Sequence, residues 1–216
     1  MEISFILIKF AFIPLLIVTI YSIYVYRKLP KELRIFTWFI FFSAAIELCS
    51  RIFWLQSINN MPFLHLYVAG GFCFLALFYD EVLKGFINRK IIIAIVVFFL
   101  LFTITNSLFI QDIYTFNSYA LSLESILIII FSLSTYTIML NDIVKKNRIN
   151  LVKSLNWINS GLFIYYSSSL LIFYFGDMIT HLFSKESSLY AWVIHSFFSM
   201  IMYCCFFVGL WHKPTN

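Results

Sequence analysis

Ala44-Ala45-Ile46-Glu47-Leu48-Cys49-Ser50-Arg51-Ile52-Phe53-Trp54 sets a carboxylate and a guanidinium one helical turn apart inside an otherwise apolar run. Near the centre of a bilayer such a charge costs about 3 kcal/mol on insertion scales and more on others, so ionisable residues there face a bundle interior or a wet cavity. Glu47 and Arg51 therefore need neighbours, and the question for the rest of the chain is what it brings to the same depth.

The surroundings make the hydrocarbon reading compelling. Of 216 residues, 62% are hydrophobic and 12% charged, with a mean hydropathy of +0.93. Soluble domains hold about 45–50% apolar and about 25% charged residues. The composition is that of an integral membrane protein, with room for about seven spans of about 20–25 residues, short loops and no soluble domain. Cys49, Cys73, Cys204 and Cys205 fall in apolar runs without disulfide or zinc spacing and read as small core side chains. The start, Met1-Glu2-Ile3-Ser4, lacks a basic stretch, and the apolar run behind it is too long for a signal-peptide core, so the first helix is expected to be retained.

Seven apolar segments follow: 3–26, 35–55, 61–83, 91–110, 118–141, 155–175 and 189–210. The net charge of +5 is a matter of topology rather than of a nucleic-acid partner, because twelve of the fifteen Lys and Arg fall on alternate connections and the tail. These are Arg27, Lys28, Lys31 and Arg34, then Lys84, Arg89 and Lys90, then Lys145, Lys146, Arg148 and Lys153, and finally Lys213. The opposite loops hold only Lys185, which places the N-terminus outside and the C-terminus in the cytoplasm. The fold expected is an all-α bundle of seven transmembrane helices forming one domain over 1–216.

Local signals refine it. Asn59 and Asn60 are placed to cap the third segment, with Pro62 in its first turn. Pro14 is expected to kink the first segment, and Ala69-Gly70-Gly71 thins the third for close backbone approach. The fourth segment has no charge and reads as a lipid-facing connector. Segments one to three and five to seven run in the same sense, which suggests a parallel three-plus-one-plus-three pseudo-repeat.

With about 1.5 Å of rise per residue, Lys9, Glu47, Arg51, His65, Glu124 and His195 all fall within about 12 Å of the outer ends of their helices. Ser43, Glu47, Ser50, Arg51 and Trp54 make one stripe, and Trp192, His195 and Ser199 another. A water-accessible outer pocket walled by aromatics such as Tyr67, Tyr119 and Trp192 would satisfy these groups together. Simpler accounts stand beside it: Lys9 can snorkel, Glu47 and Arg51 can neutralise each other as an i,i+4 pair, and a lone His65 can be a hydrogen-bonded packing residue. Glu124 and His195 have no complementary partner on their own helices. Glu47, His65, Glu124 and His195 are also a conceivable N/O set for zinc, although HExxH, paired histidines and His-x-Asp are absent.

At the inner side, Asp80 and Glu81 are expected to pair with Lys84 and Arg89, or, with Arg148, to meet a partner protein. Retinal chemistry is excluded by the lack of a lysine between Leu189 and Leu210, and Tyr79-Asp80-Glu81 lacks the arginine of the G-protein-coupled receptor motif. The Phe/Ile/Asn-rich pattern, with Asn59-Asn60-Met61-Pro62, Phe116-Asn117 and the histidine of the seventh segment, resembles small seven-helix membrane proteins of Bacteroidota-type bacteria. The resemblance implies the fold and an inner-membrane location, not an activity. The function expected is that of a sensor or signalling subunit that recognises a small ligand or protonation state in the outer pocket and acts through a partner protein, without a cofactor. The alternatives are a small polar solute transporter and an intramembrane metal-dependent hydrolase.

Overall fold

The computed structural model describes residues 10–144, 149–182 and 184–213. Among the described residues the chain forms α1 (Ile13–Val25), α2 (Lys31–Leu55), α3 (Met61–Val82), α4 (Arg89–Thr105), α5 (Ser118–Val144), α6 (Ile149–Tyr174), the short α7 (Gly176–His181) and α8 (Lys185–Trp211). Five of these are long and apolar enough to cross a membrane: α2, α3, α4 with its continuation to Ile110, α5 and α8. The protein is thus an all-helical membrane protein.

Helix starts follow from backbone chemistry. Pro30, extended at φ −62° and ψ 164°, stops the preceding turn, and α2 begins at once with Lys31 and Glu32 although the apolar run starts at 35. At α3 the Asn59 side-chain Oδ1 accepts the Met61 N–H at 2.8 Å, Pro62 occupies the first turn, and the Asn60 side chain turns away to donate to Ser50 Oγ at 2.8 Å. Asn88 caps α4 by accepting the Lys90 N–H. The expected kink at Pro14 takes another form: α1 begins at Ile13 with Pro14 in its first turn, behind a turn at Ala11–Phe12. A proline has no N–H to give to the preceding turn, so it opens a helix more readily than it interrupts one. The connection expected over 176–188 holds α7, whose Gly176 lies against the Phe116 ring with no room for a side chain.

Six helices close a ring. α1 meets α2, α2 meets α3, α3 meets α5, α5 meets α6, α6 meets α8, and α8 returns to α1, while α4 stands outside against α3 and α5. The outer face of α4, including Ile93, Val97, Leu101 and Ile104, is exposed.

Within lipid, helices associate by close packing and hydrogen bonding rather than by a hydrophobic force. Both devices are present. Gly70 sits on the Phe42 ring, and Gly161 and Gly209 bring α6 and α8 together. A fully buried hub joins three helices: the Tyr79 hydroxyl donates to Asn159 Oδ1 at 3.1 Å and meets Ser132 Oγ at 2.8 Å, and Asn159 Nδ2 donates to the Ser132 carbonyl at 3.0 Å. At mid-bundle Phe36, Phe39, Phe78 and Phe206 are wholly buried, with Phe36 edge-on to Phe206 at 4.8 Å and 5.1 Å from Phe78.

Candidate functional site

Residues of five helices, α1 (Leu15), α2, α3, α6 and α8, line a cavity of about 290 Å³ near the end of the bundle that carries the α2–α3 loop. Ser43, Glu47 and Ser50 of α2 face it at i, i+4 and i+7, and His195, Ser199 and Tyr203 of α8 at i, i+4 and i+8. Leu64 and Tyr67 of α3 and Tyr165 of α6 complete its sides, and the cavity reaches the surface beside the partly exposed Ser50 and Asn60. One turn from Ser43 lies Phe39, and one turn from Tyr203 lies Phe206, both wholly buried and next to the lining.

Of the residues expected from sequence to bind a ligand, Glu47, Tyr67 and His195 meet here, with Ser43, Ser50 and Ser199 of the same two stripes. Glu47 Oε1 accepts from Arg51 Nε at 2.7 Å, with the two side chains 40% and 26% exposed respectively, so the i,i+4 pairing and the position on the cavity coexist. The Arg51 guanidinium lies 4.0 Å above the Phe12 ring of the neighbouring chain segment, turned from the cavity. His195 Nδ1 is hydrogen-bonded to Ser169 Oγ at 3.1 Å, and its ring is enclosed by Tyr165, Phe173 and Trp192 at centroid distances of 5.4, 5.2 and 6.0 Å. Ser169 is fully buried and does not line the cavity, so this pair orients the imidazole and presents no nucleophile to an occupant.

The other residues named from sequence lie elsewhere. Glu124 is fully buried on α5 behind the cavity wall. Its Oε1 accepts from the Tyr166 hydroxyl at 3.1 Å and packs on α3 at Gly71, while Oε2 has no hydrogen-bond partner among the described residues. Tyr67 is in electrostatic range of both Glu124 and Glu47. His65 ties α3 to the α4–α5 connection: Nε2 donates to the Thr115 carbonyl at 3.1 Å, which leaves Nδ1 to accept from Ser107 at 2.7 Å. Trp192 packs edge-on against Phe116 at 5.2 Å, one layer behind His195. Among the described residues no three His, Cys, Asp or Glu come together to hold a metal ion.

At the opposite end Asp80 meets Arg89 at 3.4 Å and Glu81 meets Lys31 at 2.7 Å. Lys31 is fifty residues from Glu81 in sequence, so its pairing depends on the α2–α3 contact and not on local spacing. Arg148 and Lys9 lie outside the described residues.

Tyr203 completes the α8 stripe and was legible as the residue eight beyond His195, but an aromatic in an apolar run carries no local mark of a polar neighbour. The class defined by this fold and site is an all-helical membrane protein with a small polar cavity. No family model matches the chain, and comparison with curated proteins and with solved structures gives no match.

Proposed function

We propose that the chain is a seven-span sensor or signalling subunit of a bacterial inner membrane, which takes a small ligand into the Glu47–His195 cavity from outside and acts through a partner protein. The observation that carries this reading is the cavity itself: a carboxylate, an imidazole, hydroxyls and phenols share one recess. Its few oriented polar groups amid apolar walls are the usual make-up of a small-molecule site. The seven-span count adds α1 and α6 to the five apolar helices, and the lysines and arginines of alternate loops favour an outer cavity. Tyr67 and Tyr203 stand between the cavity and the Phe36–Phe206 packing, so a shift of either ring would reach the interior contacts of α2, α3 and α8. The basic end, with Lys31, Lys84 and Arg89 beside Asp80 and Glu81, is the surface assigned to the partner.

One observation favours a transporter as the second reading. The neighbour order around the ring, with α1, α2, α3 continued by α5, α6, α8 and α4 left outside, is the order a parallel three-plus-three repeat would give. Proteoliposomes separate the two. A sensor binds its ligand and accumulates none, and purification in mild detergent from its native host recovers a second polypeptide in fixed ratio. Saturable uptake of a ligand that binds the cavity would replace the sensor reading with the transporter.

A further inference from the structure

We propose that the occupant of the cavity is a small organic cation, an amine with an apolar body. The proposal rests on the ligand-binding reading above and names the class of ligand. Among the described residues Glu47 is the one side chain of fixed charge on the cavity lining; no Lys or Arg faces it. Arg51 donates to Glu47 Oε1 and also lies over the Phe12 ring, while Glu47 itself lines the cavity, where its carboxylate can meet an occupant. Phe63, Tyr67, Tyr165 and Tyr203 supply aromatic surface around the same space, and ring faces attract cations. The Ser43 and Ser199 hydroxyls are placed to accept from N–H groups.

A second observation points the same way. Behind Tyr67 stands Glu124, fully buried, with Oε2 unbonded among the described residues and only a tyrosine on Oε1. Two carboxyl groups therefore flank the Tyr67 wall, and no cation among the described residues answers Glu124. An anionic ligand would enter this recess against Glu47, and among the described residues no lysine or arginine lines it. A volume of about 290 Å³ limits the ligand to a small molecule, at the lower edge of pockets that hold drug-sized compounds.

The test uses the full chain in detergent and three probes that share one hydrocarbon body: 2-phenylethylamine, 2-phenylethanol and phenylacetate, with affinities read by calorimetry. The amine is expected to bind at least about tenfold more tightly than the alcohol, a margin of about 1.4 kcal/mol, and phenylacetate least of all. Glu47→Gln, which keeps the shape of the side chain, removes that preference. Ser199→Leu fills the cavity away from the ion pair and removes amine binding; size-exclusion and melting profiles confirm that both variants fold. Alcohol or acid binding as tight as the amine, or a preference that survives Glu47→Gln, would overturn the cationic class while leaving a ligand site. Binding by none of the probes, or amine binding untouched by Ser199→Leu, would overturn the cavity reading together with the class.

Discussion

Gly209→Leu is expected to lower stability by about 3 kcal/mol or more, at the upper end of what overpacking a well-filled interface costs. A Cβ at this position would stand 2.6 Å from Ile158 Cγ1 and 3.0 Å from the Ser154 carbonyl oxygen. The second neighbour is backbone and cannot rotate aside, and the Ser154 hydroxyl already donates to the Gly209 carbonyl, so separating the helices also breaks that bond. Because α8 carries His195, Ser199 and Tyr203, the same displacement opens the cavity. Gly71→Ala is the control: its nearest neighbour, a Phe39 ring carbon, is 3.6 Å from the added Cβ, an ordinary contact. It should stay within about 1 kcal/mol, with the gain in helix propensity offsetting the crowding. Melting temperature in detergent and the monodisperse fraction on size exclusion check both.

Replacing Glu124 by Met together with Tyr166 by Phe has the opposite sign. A buried polar atom left without a partner costs about 1–3 kcal/mol, whereas exchanging both members of a pair for apolar groups of similar shape is close to neutral or stabilising. Among the described residues Glu124 Oε2 is such an atom, and Oε1 and the Tyr166 hydroxyl are bonded to each other. The double variant should therefore gain about 1–3 kcal/mol, and Glu124→Met alone should gain less, because it strands the Tyr166 hydroxyl. A more stable chain that binds its ligand more weakly would mark Glu124 as a group kept for activity at a cost in stability. A large loss of stability in the double variant would show instead that the carboxyl holds the bundle together.

How far these features were legible depends on the range of the contacts that make them. The apolar runs and the helical spacing of Ser43, Glu47 and Ser50, and of His195 and Ser199, carry the helices and two walls of the cavity, because burial in lipid leaves a periodic mark along each segment. The i,i+4 contact of Glu47 with Arg51 is equally local. Glu124 and His195 both look unaccompanied in sequence, yet one is tied to Tyr166 and the other to Ser169, both on α6. Tyrosine and serine are common in apolar runs, and nothing in the segment around Tyr166 marks it as a carboxyl's partner. His65 shows the same limit: its partners, Ser107 and Thr115, lie in and after the turn that ends α4, and only the folded chain brings them to the start of α3. Helix ends were legible where Asn59 and Pro62 stand, and less so at Pro14, whose effect depends on where its helix begins.

The central claim is that Glu47 and His195 share a water-filled recess open to the exterior, and thiol accessibility in intact cells tests it most directly. In a chain from which Cys49, Cys73, Cys204 and Cys205 have been removed, Ser50→Cys and Ser199→Cys should react with a charged, membrane-impermeant thiol reagent added from outside, since both residues line the cavity and are partly exposed. Ser132→Cys, in the closed Tyr79 hub, should remain unlabelled. Labelling of the first two at the negligible rate of Ser132→Cys would contradict the account, leaving a helical membrane scaffold without an external site.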